Sequence, residues 1–114
     1  MARVIWTEPA VADLDAIADY IAIDNRPAAV ALVQNVLAHI EQLAVFPESG
    51  SKPPELGRAT RYRQIIEPPC RVVYRFDGSA VYILHVMRSQ QRLRSGLLAK
   101  RIQGTAGSAR KPHK

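Results

Sequence analysis

The apolar residues of this 114-residue chain switch from a helical to an alternating period midway, and that change limits the fold more than any motif does. Between residues 8 and 45 they recur every three or four positions: Val11, Leu14, Ile17, Ala18 and Ile21, then Ala29, Leu32, Val33, Val36, Leu37, Ile40, Leu43 and Ala44. That spacing predicts two amphipathic helices, over 8–23 and 27–45. Thr7 and Pro9 supply a cap and a first-turn proline for the first, and the turn at 24–27 starts the second. Helices joined so closely must pack antiparallel. From residue 61 onward the apolar residues alternate, which predicts strands over 61–66, 71–77 and 80–87, with Asp77-Gly78 as a hairpin turn.

A short β-prone segment, Arg3-Val4-Ile5-Trp6, precedes the helices, and Leu93, Leu97, Leu98 and Ile102 suggest a short helix at the end. The Pro- and Gly-rich stretch 48–57 reads as a loop. The expected order is therefore β-α-α-β-β-β, an α+β domain with an N-terminal helical hairpin packed on a small antiparallel sheet, plus a short C-terminal helix. One domain over residues 1–102 and a disordered basic tail over 103–114 complete the expectation.

Charge is sorted along the chain. Residues 1–57 carry three cations against eight anions, whereas residues 58–114 carry thirteen cations against Glu67 and Asp77 alone. A basic half of that kind points to an acidic or polyanionic partner. Strand alternation puts Val72, Tyr74 and Phe76 on one face, suited to pack on the helices, and Arg71, Val73 and Arg75 on the other. If Arg61 and Arg63 align with them, Arg61, Arg63, Arg71 and Arg75 form a cationic patch on an open sheet surface, with the His85 imidazole in reach. The simpler reading is that such arginines only solvate an exposed face, but acids are nearly absent between them.

Other chemical signals are weaker. His85 has the right pKa range for proton transfer, yet a lone histidine is more often a hydrogen-bonded structural residue. His39 lies beside the apolar stripe of the second helix, and His113 lies in the tail. No metal-ligand spacing, phosphate-binding glycine loop or Ser-His-Asp set is visible, so neither metal nor cofactor is expected. Cys70 is the only cysteine and reads as an unreactive strand-edge thiol in a reducing cytoplasm. Trp6 reads as core. No membrane span is expected.

The segments Val4-Ile5-Trp6-Thr7, Ala12-Asp13-Leu14, Tyr20-Ile21, Pro27-Ala28-Ala29, Phe46-Pro47 and Arg71-Val72-Val73-Tyr74-Arg75, in this order, resemble the RelE/ParE superfamily of toxins from type II toxin–antitoxin systems. The resemblance runs from about Arg3 to about Leu93. It implies a cognate antitoxin encoded nearby, wrapped around the toxin in a hetero-oligomer. The superfamily has two branches. The RelE-like branch cleaves mRNA on the ribosome with basic sheet residues and a tyrosine or histidine near the C-terminus. For that branch the candidates here are Arg63, Arg71, Arg75, His85 and Arg88. The ParE-like branch inhibits DNA gyrase without catalysis. Residues 88–93 contain no tyrosine or histidine, and the helical hairpin is long, so the ParE-like reading is preferred, with no catalytic residue. Arg61, Arg63, Arg71, Arg75 and Arg88 are then the candidate surface for target or antitoxin. A non-enzymatic nucleic-acid-binding module is the remaining alternative.

Overall fold

A computed structural model describes residues 1–103, except for the side chains of Ser95 and Gln103, so the expected tail lies outside the described residues apart from Gln103, which ends the last helix. The elements are β1 (Arg3–Trp6), α1 (Glu8–Asp24), α2 (Arg26–Val45), a 3-10 turn (Pro54–Leu56), β2 (Tyr62–Glu67), β3 (Cys70–Phe76), β4 (Ala80–Arg88) and α3 (Ser95–Gln103). The helical hairpin is tighter than the sequence suggests. Thr7 caps α1 by accepting from the Ala10 amide at 3.2 Å. Asn25 alone then serves two helices: its amide donates to Ile21 at the end of α1, and its side-chain oxygen accepts from Ala28 at the start of α2. One residue with a short amide side chain satisfies orphan groups on both sides, so no longer linker is needed.

β2, β3 and β4 form the expected antiparallel meander, and β1 joins β4 in parallel, so the sheet is mixed, in the order β1-β4-β3-β2. The β3–β4 turn is fixed by Asp77, whose carboxylate accepts from the Ala80 and Ser79 amides at 2.8 and 2.9 Å, while Gly78 adopts φ +99°. A side chain at that φ would be strained. The same amides hold the Asp77 carboxyl down at about 2.

α1 and α2 cover one face of the sheet, where Leu14, Val33, Val36 and Leu43 pack with Trp6, Val72, Tyr74, Ile83 and Val86. α2 is long and apolar enough to span a membrane by length and composition, but its apolar stripe lies in this core while Gln34, Asn35, Glu41 and Gln42 face outward. The second face is not open. Val73, Leu84 and Met87 are buried there beneath Leu93 and Leu98, with Leu56, Tyr62 and Tyr82 around them. A bulge makes this possible: Val73 pairs with His85 but Tyr74 pairs with Ile83, leaving Leu84 as an extra residue. The alternation of β4 flips at that point. Val81 and Ile83 therefore share the helix side with Val86, and Met87 lies on the other side, whereas unbroken alternation would put Met87 with Ile83.

Candidate functional site

The arginines expected on one face are divided between two. Arg71 pairs with Ile66, and Arg75 with Tyr62, whereas Arg63 pairs with Tyr74 on the helix side. Arg61 precedes β2 and is exposed. Residues directly opposite in a ladder share a face, so the odd-numbered arginines of the β2 segment cannot join the odd-numbered arginines of β3.

Arg71 is moreover not a surface cation. It is only 4% exposed, and both its terminal nitrogens bind Glu55, which the 3-10 turn carries over the sheet. Arg71 also donates to the Gln64 side chain at 3.0 Å and to the Gln91 carbonyl at 2.5 Å, while its Nε has no partner among the described residues. Glu55 accepts in addition from the Leu93 amide at 3.1 Å. The arginine holds the Glu55 carboxyl at about 2, well below the usual carboxylate range. This fork of arginine and carboxylate fastens the 53–57 loop and the 89–93 loop to the sheet. A shallow cavity of about 440 Å³ opens beside it, walled by Ile66, Gln64, Ser89, Gln90 and Arg92. None of its lining residues is a histidine or tyrosine.

His85 lies opposite Val73, on the sheet face of Arg71 and Arg75, but its ring is bonded to neither arginine. Its Nδ1 lies 2.8 Å from both Asp13 on α1 and Arg101 on α3. It donates to the carboxylate in one tautomer and accepts from the guanidinium in the other. Asp13 also accepts from the Val86 amide at 3.1 Å and from Arg101 at 2.5 Å, and Arg101 donates to the Leu84 carbonyl. Despite burial, which acts to raise its pKa, these partners keep the Asp13 carboxyl below its ordinary value. The three side chains close the β4 edge beyond the end of β1 and tie α1 and α3 to it. Asp13, which falls off the apolar stripe of α1, is thus a partly buried tie between α1, β4 and α3.

The remaining candidates fall elsewhere. Arg88 lies over the Tyr20 ring of α1, 5.4 Å from its centroid, a cation–π contact. Arg63 donates to the Gly50 carbonyl at 2.8 Å and approaches Glu48 at 3.6 Å. Together with Lys52, Arg61 and Arg75 it borders a cavity of about 310 Å³ at the open end of the β2–β3 hairpin, which Glu48 and Asp77 also line. His39 pairs with Glu67 at 3.0 Å. Cys70 is wholly buried, and burial pushes its thiol pKa up, as suits an inert thiol.

Sequence reasoning missed Glu55, Asp13 and Arg101. The Pro53-Pro54 pair hinted that Glu55 sits on a stiff turn, but nothing local names its partner sixteen residues on. Asp13 carried no signal apart from its place in the Ala12-Asp13-Leu14 segment.

A mixed four-stranded sheet with a helical hairpin on one face and a short helix on the other defines an architecture met in small bacterial toxins. The chain matches the family model described as the ParE toxin of the type II toxin–antitoxin system parDE, over residues 4–93. It is 34% identical over 86 residues to Toxin RelE2 of Caulobacter vibrioides, covering 75% of this chain and 93% of that toxin. A solved structure described as the chromosomal ParDE TA system from P. aeruginosa superposes with a TM-score of 0.64 at 28% identity, over 77% of this chain and 96% of that one. The chain belongs to the ParE toxin family, within the RelE/ParE superfamily of type II toxin–antitoxin toxins.

Proposed function

We propose that this toxin arrests growth by binding DNA gyrase in the cytoplasm without catalysis, and that a cognate antitoxin encoded beside it neutralises it. One observation carries the non-catalytic reading: Arg71, one of the three arginines that the ribonuclease reading enlists for phosphate, is buried against Glu55. Ribonuclease chemistry requires a cation at the phosphorane and a group to move the proton of the 2′-hydroxyl. Here Arg71 is neutralised from within the fold, and the cavity beside it is lined by no histidine or tyrosine, its one acid being Glu55, which that arginine holds ionised. The ParE family match supports the same branch, and the similarity to the P. aeruginosa ParDE structure supports an antitoxin partner. His85, the one substitute for the missing proton carrier, is committed to Asp13 and Arg101.

The test has two arms. Induction of the toxin should halt growth, co-expression of the neighbouring open reading frame should restore it, and stoichiometric purified toxin should change gyrase supercoiling in vitro while mRNA stays intact. New mRNA ends within translated codons, together with unchanged supercoiling, refute this reading and establish the ribosome-dependent ribonuclease instead.

A further inference from the structure

We propose that the cavity at the open end of the β2–β3 hairpin is a binding site for the phosphodiester backbone of a polynucleotide. It goes beyond the choice of target, because gyrase-bound DNA and ribosome-bound mRNA both present phosphodiesters. Four cations border the cavity: Lys52 from the loop before the 3-10 turn, Arg61 and Arg63 from the approach to and start of β2, and Arg75 from the end of β3. Two acids share it, so the local balance is two positive charges.

What marks this cluster is that two uncommitted guanidiniums border the same recess. Arg71 and Arg101 are locked into carboxylates, and Arg88 lies over Tyr20. The side chains of Arg61 and Arg75, by contrast, form no hydrogen bond or ion pair among the described residues. The acids cannot cancel them. Asp77 directs its carboxylate into the hairpin turn, toward the Ser79 and Ala80 amides, and Glu48 is 70% exposed and lies 3.6 Å from Arg63. Two planar guanidiniums with free donors, held at the rim of a recess by neighbouring strands, suit the tetrahedral oxygens of a phosphate. Thr60, also at the rim, accepts from the Tyr62 amide and keeps its own hydroxyl proton to donate. A volume of about 310 Å³ takes a phosphate with its sugar. The position, at the end of an edge hairpin, lets a strand run past the site rather than end in it.

The experiment measures binding of the full chain to a fluorescently labelled DNA duplex, and separately to single-stranded RNA of the same sequence, across a salt series. The double variant Arg61→Gln/Arg75→Gln is compared with a control of equal charge change on other elements, Arg26→Gln/Arg94→Gln, and thermal melts check that both remain folded. The pocket variant should bind duplex about tenfold more weakly at low salt, and its log–log salt slope should flatten by roughly 0.9 for each phosphate no longer neutralised, while the control shifts far less. A preference between the two nucleic acids identifies the source of the phosphate. Equal weakening in the two doubles, or an unchanged salt slope in the pocket variant, overturns the proposal. So does a pocket-dependent response to a glutamate-rich peptide with none to either nucleic acid. Because no gyrase is present, failure here leaves the gyrase reading standing, and failure of gyrase inhibition leaves this site standing.

Discussion

Replacing Glu55 by alanine strips the counter-ion from a guanidinium that is only 4% exposed, and the cost follows from that burial. Breaking a buried ion pair from one side costs about 3–5 kcal/mol, since the remaining charge is left without water or partner. Glu55 itself is 18% exposed, and Arg71 keeps Gln64 and the Gln91 carbonyl, so the lower end, about 3 kcal/mol, is expected. The acid range gives an independent measure. The Glu55 pKa falls from 4.5 to about 2 on folding, equivalent to about 3 kcal/mol before solvent screening and about 2 after it. Because the folded pKa is the lower one, this stabilisation is complete above about pH 4.5 and disappears as pH drops toward 2. Urea denaturation of wild type and Glu55→Ala at several pH values between 7 and 2.5 should show a gap that is widest at pH 7 and closes through that window. Glu55→Leu/Arg71→Met should recover much of the stability, since two apolar groups replace the pair. A gap under about 1 kcal/mol at pH 7, or one indifferent to pH, refutes the reasoning. It would mean that Arg71 does not depend on Glu55 and is free to meet phosphate, which removes the main support for a non-catalytic toxin.

Tyr74→Phe removes a hydroxyl that accepts from the Gly50 amide at 2.9 Å and donates to the Pro47 carbonyl at 2.8 Å, so it should cost about 1–3 kcal/mol in denaturant unfolding. Gly50→Ala should do at least as much harm in the same assay, because a Cβ there would lie 2.6 Å from the Gln64 carbonyl oxygen and 2.7 Å from the Tyr74 ring. Arg101→Met should loosen α3 and speed hydrogen exchange in that helix. Since the Asp13 pKa is depressed in the fold, the stability it supplies should be full above its ordinary value of 3.8 and fade as pH falls through the folded value, less steeply in Arg101→Met. Cys70 should resist thiol reagents until the protein unfolds, whereas rapid labelling of the native chain would contradict its burial.

Where structural signals are local, the sequence is a good guide. Thr7 and Asn25 cap helices through residues three positions away, and Asp77-Gly78 closes a hairpin on itself, so both ends of each signal lie within a few residues. The helix-facing side of β3 was equally legible, because Val72, Tyr74 and Phe76 alternate with Arg71, Val73 and Arg75. The arginine surface was not, for a reason of register. The β2–β3 turn pairs Glu67 with Cys70, and this sets Arg63 opposite Tyr74 rather than beside the face of Arg71. A shift of one residue in that turn would reverse the outcome, and no composition rule senses such a shift. The bulge at Leu84 was hidden likewise, since an extra apolar residue in an apolar strand leaves no trace in the pattern. Nor does a strand pattern disclose that a second layer, from Leu93 and Leu98, will cover its polar-looking face.

The division of the chain into an acidic first half and a basic second half acquires a different sense once these contacts are known. Glu55 meets Arg71, Asp13 meets Arg101, and Glu48 approaches Arg63; in each case the acid comes from the first half and the cation from the second. Opposite charges placed far apart in sequence favour contacts between halves over contacts within either, and here they fasten the loop after α2, helix α1 and helix α3 to the meander. Three of the thirteen second-half cations are therefore engaged by acids of the first half. At the proposed site a polyanionic partner meets Arg61 and Arg75 beside Lys52, not the surplus of the whole second half. Binding through this site should accordingly show the shallow salt dependence of about two or three phosphate contacts, and a slope near that of about seven or more would locate the interaction elsewhere.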